Sequence, residues 1–257
     1  MSESTKRAAA PVKSGESITD ILKTIITVVA AVLVVRTFAF EPFNIPSGSM
    51  IPTLLVGDYV FVSKFSYGYS KYSFPFYHPN FDGRFFNSLP KRGDVAVFKL
   101  PRDPSIDYIK RIVGLPGDKI QVIDGLLYIN QKPVERVRTE DFVDDETGTK
   151  VPVRQFLETL PNGVQHPILQ PIDNGPLDNT PIFEVPPDHV FAMGDNRDNS
   201  ADSRLPPWDH GVGYVPIENL VGRADFRFFS FDGNTPLWQI WNWPFAIRYS
   251  RLFTGVH

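Results

Sequence analysis

The 257-residue sequence contains no cysteine, and this absence excludes several kinds of chemistry at once. Cysteine nucleophiles, thiolate metal sites and disulfide bonds are all ruled out. Histidine is scarce, with five residues that lie far apart and lack the spacing of metal ligands. A formal net charge of −3 provides no basic face for nucleic acid. The sequence therefore predicts neither a metal site nor a nucleic-acid partner.

Long helices are also largely excluded, because 24 prolines are scattered from Pro11 to Pro244. Proline removes a backbone donor and clashes with the preceding helical turn. What is present instead are short runs rich in valine, isoleucine, phenylalanine and tyrosine, bounded by glycine, proline and aspartate. These runs predict strands at Tyr59–Lys64, Val95–Leu100, Tyr108–Val113 and Ala224–Phe231, and a hairpin over Val122–Asn130 that turns at Asp124-Gly125.

One N-terminal segment departs from this pattern. Thr24–Val35 carries no charge, and its apolar character extends over Ile21–Phe40 when one basic residue near each end is tolerated. Twenty helical residues span a bilayer core of ~30 Å, and basic side chains near helix ends can reach the interface. We therefore predict a membrane anchor over residues 18–40, preceded by a tail over residues 1–17.

The charges that flank this segment are asymmetric. No lysine or arginine follows Arg36 until Lys64, whereas basic residues gather on the N-terminal side at Lys6, Arg7, Lys13 and Lys23. By the positive-inside rule, this asymmetry predicts a single-pass protein with its N-terminus in the cytoplasm and the bulk of the chain outside.

A cleaved secretory signal is the main alternative to an anchor. Twelve uncharged residues fit the apolar region of such a signal, and Thr37-Phe38-Ala39 loosely resembles a cleavage site. Arg36 argues against this alternative, because a cleavable signal rarely carries a charge at that point. A buried helix of a soluble domain is a more distant possibility.

The chain after the anchor divides by composition. Residues 133–183 are rich in proline, aspartate and asparagine and show weak periodicity. We predict an inserted domain of strands and loops over residues 123–183, within a β core formed by residues 41–122 and 184–257. The predicted fold class is a mostly β ectodomain of antiparallel sheets, with a core and a smaller inserted domain, preceded by one N-terminal transmembrane helix.

Aromatic residues concentrate in two places. Ten lie between Phe65 and Phe86, and three tryptophans lie in the C-terminal tail. Core packing is the favoured explanation for both concentrations, and a surface resting on the lipid interface, where aromatic rings are favoured, is the alternative. The residues concerned include Tyr67, Phe74, Phe76, Phe81, Phe85, Trp238, Trp241 and Trp243.

Two polar stretches could carry chemistry. Residues 46–52, PSGSMIP, form a tight turn with two hydroxyls, although Ser-Gly-Ser turns mostly satisfy backbone hydrogen bonds. Residues 107–118, DYIKRIVGLPGD, place Lys110 in a predicted strand, where alternation puts Tyr108, Lys110 and Ile112 on one face. Such a lysine is usually exposed. If its face is buried, the amine must lose its proton or find a partner.

A third stretch, Gly194–Arg204, reads GDNRDNSADSR. It could be a solvated turn built on Asp and Asn side chains, or a calcium loop with alternating oxygen ligands. The calcium interpretation fails on detail, because Ser203 stands where the sharp-turn glycine should be and two prolines, Pro206 and Pro207, break the second half.

Taken together, the three stretches resemble the bacterial type I signal peptidases, a family of Ser/Lys dyad serine proteases. The likeness also includes RGDVAVFK at residues 92–99, Val221-Gly222-Arg223 and the tail from Trp243 to Arg251. It covers most of the chain outside the N-terminal tail and residues 133–183. It implies a membrane-bound endopeptidase of the bacterial cytoplasmic (inner) membrane that removes N-terminal signal peptides from exported preproteins, cutting after small residues.

The resemblance assigns roles to individual residues. It implies that Ser49 is the nucleophile and that Lys110 is the general base. The Ser47 hydroxyl and the Ser49 backbone N–H would form the oxyanion hole, while Ser200 would orient the Lys110 amine.

The resemblance also implies supporting residues. Asp202 and Arg204 would brace the site as an ion pair. The chemistry would need neither a metal nor a cofactor, and the partners would be preprotein signal peptides and the lipid bilayer. Our candidates for the two shallow apolar substrate pockets are Phe43, Ile45, Met50, Leu54 and Tyr108.

Two rival functions remain to be weighed. A self-cleaving repressor-type protease shares the Ser/Lys chemistry, but it would lack the anchor and carry a DNA-binding helix-turn-helix. An anchored, non-catalytic β domain could instead bind exported proteins, although the intact Ser49, Lys110 and Ser200 argue against it. The sequence departs from the family pattern in a long link after Arg204 and in a short, cysteine-free inserted domain.

Overall fold

The computed structural model describes residues 17–74, 79–143, 151–232, 235 and 238–256. Helix α1 (Ile18–Phe38) is long and apolar enough to cross a bilayer, and its most apolar window has no residue buried inside the protein. A core helix would bury one face, so the buried-helix alternative does not fit. The basic residues Lys6, Arg7 and Lys13 lie outside the described residues.

Helix α1 ends where the sequence changes its backbone preference. Ala39 leaves the helical region, with φ −115° and ψ −84°. Glu41 precedes Pro42, and a residue before proline favours an extended backbone. The chain therefore passes directly from the helix into a strand, two residues earlier than the predicted end at Phe40.

The ectodomain is built almost entirely of strands, as predicted. In chain order they are β1 (Phe40–Asn44), β2 (Asp58–Ser63), β3 (Val95–Leu100), β4 (Asp103–Gly114), β5 (Lys119–Ile123), β6 (Leu126–Ile129), β7 (Lys132–Pro133), β8 (Glu135–Arg138), β9 (Phe142–Val143), β10 (Pro152–Val153), β11 (Gln155–Thr159), β12 (Gln165–Leu169), β13 (Phe183–Glu184), β14 (His189–Met193), β15 (Val215–Pro216), β16 (Leu220–Ser230) and β17 (Thr254–Gly255). A short helix, α2 (Trp243–Ala246), lies in the tail.

The largest sheet has eight antiparallel strands in the order β1-β2-β16-β3-β4-β14-β15, with β17 paired to β16. It contains the predicted strands at Tyr59–Lys64, Val95–Leu100, Tyr108–Val113 and Ala224–Phe231. Those predictions are confirmed. Each segment either alternates apolar and polar residues or is continuously apolar, which are the two patterns typical of strands.

The smaller sheets fill the chain between β4 and β14. Their orders are β13-β5-β6-β7, β12-β11-β8 and β10-β9. The predicted hairpin is present as β5 and β6, and its turn uses positive φ at Asp124 (47°) and Gly125 (73°). Since β5 pairs within these sheets, we propose that the inserted unit begins at Lys119 rather than at residue 123.

Buried apolar residues cover both faces of the main sheet. On one face, Val60, Val62 and Val97 pack with the segment that follows β1. From that segment, Met50 and Leu54 are 0% exposed. Burying a side chain of this size contributes about 1.5–3 kcal/mol, so the turn that carries Ser49 is fixed to the sheet by its own neighbours.

The two aromatic concentrations differ in their environment. Tyr67 is buried, so core packing explains that residue. Trp238 and Trp241 are 69% and 62% exposed, and Phe86 is also exposed. Core packing therefore does not explain the tail tryptophans. Phe76 lies outside the described residues.

Candidate active site

Ser49 lies in a short 3₁₀ turn, Gly48–Met50, that begins four residues after β1 ends. Proline brackets the turn on both sides and limits its backbone freedom. Met50 is buried beneath the turn, and the buried Ser49 side chain faces Lys110. The sequence alone could not establish this arrangement, because it depends on a strand sixty residues away.

Lys110 lies in the middle of β4, opposite Ala96 of β3. Its side chain is part of a residue that is only 3% exposed. The amine donates to Ser49 Oγ at 2.6 Å and to the Ile109 carbonyl at 3.0 Å. Both of these partners are neutral oxygen atoms. The nucleophile and base implied by the resemblance are therefore in direct hydrogen-bond contact.

Burial lowers the pKa of Lys110 from 10.5 to about 8, because removing the amine from water penalises its charged form. The negative charges of Asp202 and Asp195 oppose this shift but do not cancel it. A substantial fraction of the amine is therefore neutral near physiological pH.

Arg111, the next residue along β4, points to the opposite side of the strand and meets a different environment. It donates to both carboxylate oxygens of Asp195, at 2.9 and 2.8 Å, and to the Gly93 carbonyl at 2.7 Å. Burial would raise the pKa of the Asp195 carboxyl, but the Arg111 guanidinium holds it well below its usual range. Arg111 is thus a cation paired with a carboxylate, whereas the adjacent Lys110 is an amine bonded to neutral oxygen atoms.

Asp202 and Arg204 form the expected ion pair. The Arg204 guanidinium donates to both oxygens of Asp202, at 2.9 and 2.8 Å, and also to the Arg197 carbonyl. Burial would raise the pKa of the Asp202 carboxyl, but Arg204 keeps it below its usual value. Asp202 in turn accepts from the Gly194 N–H at 3.0 Å, so the ion pair fixes the start of the same loop.

The Gly194–Arg204 loop is also hydrogen-bonded to the turn that carries Ser49. The Asn196 backbone N–H donates to the Ser49 carbonyl, and its side-chain amide donates to the Gly48 carbonyl, both at 3.1 Å. A Cβ on Gly194 would lie 2.5 Å from the Ser49 carbonyl oxygen and 2.3 Å from Ser200 Oγ. Only glycine leaves room for this close approach.

The two supporting serines are placed differently. Ser47 Oγ is 3.4 Å from Ser49 Oγ and lies on the exposed side of the turn. Ser200 Oγ is buried and forms no hydrogen bond of normal geometry with any described residue, Lys110 included. The structure therefore brings Ser200 into the site without the hydrogen bond to Lys110 that the resemblance implies.

A cleft of about 370 Å³ opens over these groups. Of the predicted pocket residues, Tyr108 lines the cleft, and its ring lies 5.2 Å from the Lys110 amine. The other four belong to the core cluster beneath the turn: Ile45, Met50 and Leu54 are buried, and Phe43 packs against them. The cleft wall is formed by Pro46, Ser47, Gly48, Ser49, Ile106, Asp107, Tyr108, Ile109, Lys110, Asn199 and Ala201.

Sequence reasoning missed the residues that connect the motifs. Thr53 donates to Asp195 at 2.6 Å, and Asp195 also faces the buried His166 at 3.3 Å. On the far side of His166, Glu158 lies 3.2 Å away and forms an ion pair with Arg197. The one available signal was that a buried arginine beside Lys110 needs a carboxylate, and Asp195 stood in the third motif.

Comparison with known proteins now identifies the class. Residues 18–229 match the family described as "Signal peptidase, peptidase S26". Signal peptidase I of Rickettsia typhi is 42% identical over 247 residues, and that of Rickettsia conorii is 45% identical, each match covering 90% of both chains. A solved signal peptidase I from Enterococcus faecalis is 24% identical with a TM-score of 0.30, covering 53% of this chain and 97% of that chain.

The family match and the two Rickettsia relatives define a membrane-anchored serine endopeptidase. The chain belongs to the signal peptidase family, peptidase S26. Its activity is the removal of signal peptides from preproteins, and the non-catalytic binding domain is not favoured.

The depressed pKa of Lys110 predicts a specific dependence of stability on pH. The unfolded chain keeps this proton up to about 10.5, whereas the folded chain loses it near 8, so folding releases a proton between these values. Stability from this group must therefore rise with pH across that window, by about 3 kcal/mol in total. We expect the free energy of unfolding of the wild type, measured relative to Lys110→Met, to increase by that amount between pH 8 and 10.5. A constant difference would show that the Lys110 pKa is not lowered.

Proposed function

We propose that Ser49 and Lys110 form the catalytic dyad with which this protein cuts signal peptides. The observation that carries the proposal is the 2.6 Å hydrogen bond between Lys110 Nζ and Ser49 Oγ within a buried site. A serine hydroxyl is a weak nucleophile until a base takes its proton. A lysine with a pKa near 8 can be that base at working pH.

In the first half of the reaction, the neutral Lys110 amine takes the Ser49 hydroxyl proton as Oγ attacks the scissile carbonyl carbon. The resulting tetrahedral oxyanion is held by the Ser49 backbone N–H and the Ser47 hydroxyl. Lys110 then gives its proton to the leaving amine, and the peptide C–N bond breaks. The signal peptide remains bound to Ser49 Oγ as an ester.

In the second half, Lys110 acts again as the base. It takes a proton from a water molecule, whose oxygen attacks the ester carbonyl through a second tetrahedral intermediate. The protonated amine then returns its proton to Ser49 Oγ, which frees the signal peptide with a new carboxylate. Every proton taken in the cycle is returned, so no metal or cofactor is required.

Ser200, Asp202 and Arg204 support the dyad in this proposal. Ser200 Oγ is buried in the site and lies close enough to Asp202 to help lower the pKa of that carboxyl, and its proposed role is to bond Lys110 when the amine changes its protonation. The Asp202–Arg204 ion pair fixes the loop through Gly194, against which both Ser49 and Ser200 rest.

We propose that the cleft admits small side chains beside the cut. Ile106, Tyr108 and Ala201 are among the residues that line it. Phe43, Ile45, Met50 and Leu54 remain proposed pocket residues on the core side of the turn, where their packing sets the depth of the cleft.

The membrane assignment extends the same proposal. Helix α1 would cross the bacterial cytoplasmic (inner) membrane once, with residues 1–17 in the cytoplasm and the catalytic domain outside. Basic residues on the N-terminal side of α1, and the long interval without any between Arg36 and Lys64, support this orientation.

We propose that the exposed tail aromatics contact the lipid interface. Trp238, Trp241 and Phe245 are more than half exposed, and the two indole rings lie 5.8 Å apart. Amphipathic aromatic rings are favoured at the headgroup level of a bilayer. This surface would hold the domain close to the membrane from which signal peptides emerge.

The dyad predicts which substitutions abolish cleavage. Ser49→Ala removes the nucleophile, and Lys110→Arg keeps the charge but replaces the base with a group that does not lose its proton. Each should lower the rate of preprotein cleavage in detergent by about 10⁴-fold or more. Lys119→Arg, on an exposed strand end, is the matched control and should cleave normally. Substantial cleavage by Lys110→Arg would mean that another group is the base.

The oxyanion role predicts a smaller effect at Ser47. A side-chain donor to an oxyanion contributes about 3 kcal/mol, which is roughly a hundredfold in rate. Ser47→Ala should therefore reduce kcat by that factor and leave KM nearly unchanged in a peptide-cleavage assay. No loss, or a loss as large as that of Ser49→Ala, would remove Ser47 from the oxyanion hole.

The lipid surface predicts behaviour that does not depend on α1. A chain that begins at Glu41 should fold, cleave peptides in detergent and still bind anionic vesicles. Replacing both Trp238 and Trp241 with alanine should reduce that vesicle binding by at least tenfold in a sedimentation assay, without changing peptide cleavage. Unchanged binding would show that these tryptophans are not the lipid contact.

A further inference from the structure

The last turn of α1 is joined to the ectodomain by three charged side chains, which we call the junction: Arg36, Glu41 and Lys64. The Arg36 guanidinium contacts Glu41 Oε1 through Nε at 2.8 Å and through Nη2 at 2.7 Å. The other oxygen, Oε2, lies 2.7 Å from the Lys64 amine. One carboxylate on β1 therefore holds both the helix and the residue that follows β2.

The Glu41–Lys64 side of the junction is shielded from water, whereas the Arg36 side chain is 42% exposed. The Lys64 side chain is 1% exposed, and its amine also donates to the Ser73 carbonyl at 2.6 Å. Burial lowers the pKa of Lys64, while Glu41 opposes that shift by stabilising the ammonium. Attraction between buried charges is weakly screened, so the Glu41–Lys64 contact resists changes of geometry that a surface ion pair would tolerate.

Neutral contacts fix the direction of the helix at the same place. The Tyr69 hydroxyl donates to the Phe38 carbonyl at 2.7 Å, satisfying one of the terminal carbonyls that a helix leaves free. The Lys64 N–H donates to the Ala39 carbonyl at 2.9 Å. The Phe38 ring makes edge contacts with Tyr69 and Phe74. A flexible linker makes no such contacts and is rich in glycine and serine.

The junction leads directly to the nucleophile. Strand β1 contains Glu41 and is paired with β2 over its whole length, from Phe40 to Asn44. Five strand residues extend about 17 Å, and the turn with Ser49 follows. The orientation of the anchor is therefore passed to Ser49 through one short, fully paired strand.

We infer that Arg36, Glu41 and Lys64 are positioning residues that hold Ser49 at a fixed height above the bilayer. A signal peptide threaded through the same bilayer presents its bonds at defined heights. The junction then determines which of those bonds reaches the cleft. This inference rests on the proposed dyad and on insertion of α1 into the membrane.

The first test measures rigidity in the full chain. Because the protein has no cysteine, Thr19→Cys and Ser88→Cys can carry spin labels on the anchor and the ectodomain without background labelling. In lipid nanodiscs, we expect a narrow distance distribution. The double variant Glu41→Gln/Lys64→Met removes the buried charges together, so no amine is left unpaired, and it should widen the distribution at least twofold.

The second test measures the choice of bond. The substrate is a membrane-inserted preprotein with two small-residue cut sites placed four residues apart. The wild type should prefer one site by at least tenfold, whereas the double variant should cut both within about threefold of each other. The double variant should cleave a short soluble peptide at a rate within twofold of the wild-type rate, because its dyad is unchanged.

Lys71→Met is the matched control, since it removes an ion pair with Glu218 from the segment that follows β2. It should keep the narrow distribution and the single cut site. The inference is overturned if the double variant keeps both wild-type readouts, or if it loses soluble-peptide cleavage in parallel with preprotein cleavage. Failure of the dyad proposal can be distinguished from failure of this inference, because it would appear as cleavage of the soluble peptide by Ser49→Ala.

Discussion

The Lys110 amine is buried against a serine hydroxyl and a backbone carbonyl, while the other buried charges around it have ionic partners. A carboxylate in contact with Lys110 would stabilise the ammonium and remove the base. An amine exposed to water would also keep its proton, because water solvates the ammonium. The site therefore has to exclude water from Lys110. At the same time it has to keep Asp195 paired with Arg111 and Asp202 paired with Arg204.

That requirement explains why three distant segments converge. Strand β4 supplies Lys110 and Arg111, the turn after β1 supplies Ser49, and the Gly194–Arg204 loop supplies the carboxylates. Their mutual hydrogen bonds, such as that from Asn196 to the Ser49 carbonyl, satisfy backbone groups that would otherwise be buried without partners. The polar network holds the nucleophile and also prevents unpaired charge from reaching the amine.

The sequence predicted the parts of this arrangement that depend on local periodicity. Val95–Leu100 has the predicted bounds, and alternation correctly placed Lys110 and Arg111 on opposite faces of β4. Partners across the fold were not predictable in this way, because Arg111 and Asp195 are 84 residues apart. Local patterns give an apolar character to Met50 and Leu54, but they do not say whether such residues face substrate or core.

The roles of the dyad came from resemblance rather than from any single motif. Ser47-Gly48-Ser49 alone describes an ordinary turn, and Lys110 alone describes an ordinary strand lysine. Their chemistry arises only from the contact between them, which no local rule contains. Ser200 is in the expected place without a hydrogen bond to Lys110, so its role in orienting the amine stays a prediction.

The way the smaller sheets enter the fold has a consequence for how this protein can change over evolution. They begin after β4 and return at β14, and these strands are paired in the main sheet, where Gly114 lies opposite Phe191. The two ends of the insertion are thus neighbours regardless of its length, and closing a longer loop adds little entropic cost. Among the described residues of the insertion, Glu158 and His166 contact the Asp195–Arg197 charges, and the Ile172 N–H donates to Asp198 at 2.8 Å. Changes of length in the insertion that leave these contacts in place can therefore leave the Ser49–Lys110 contact unchanged.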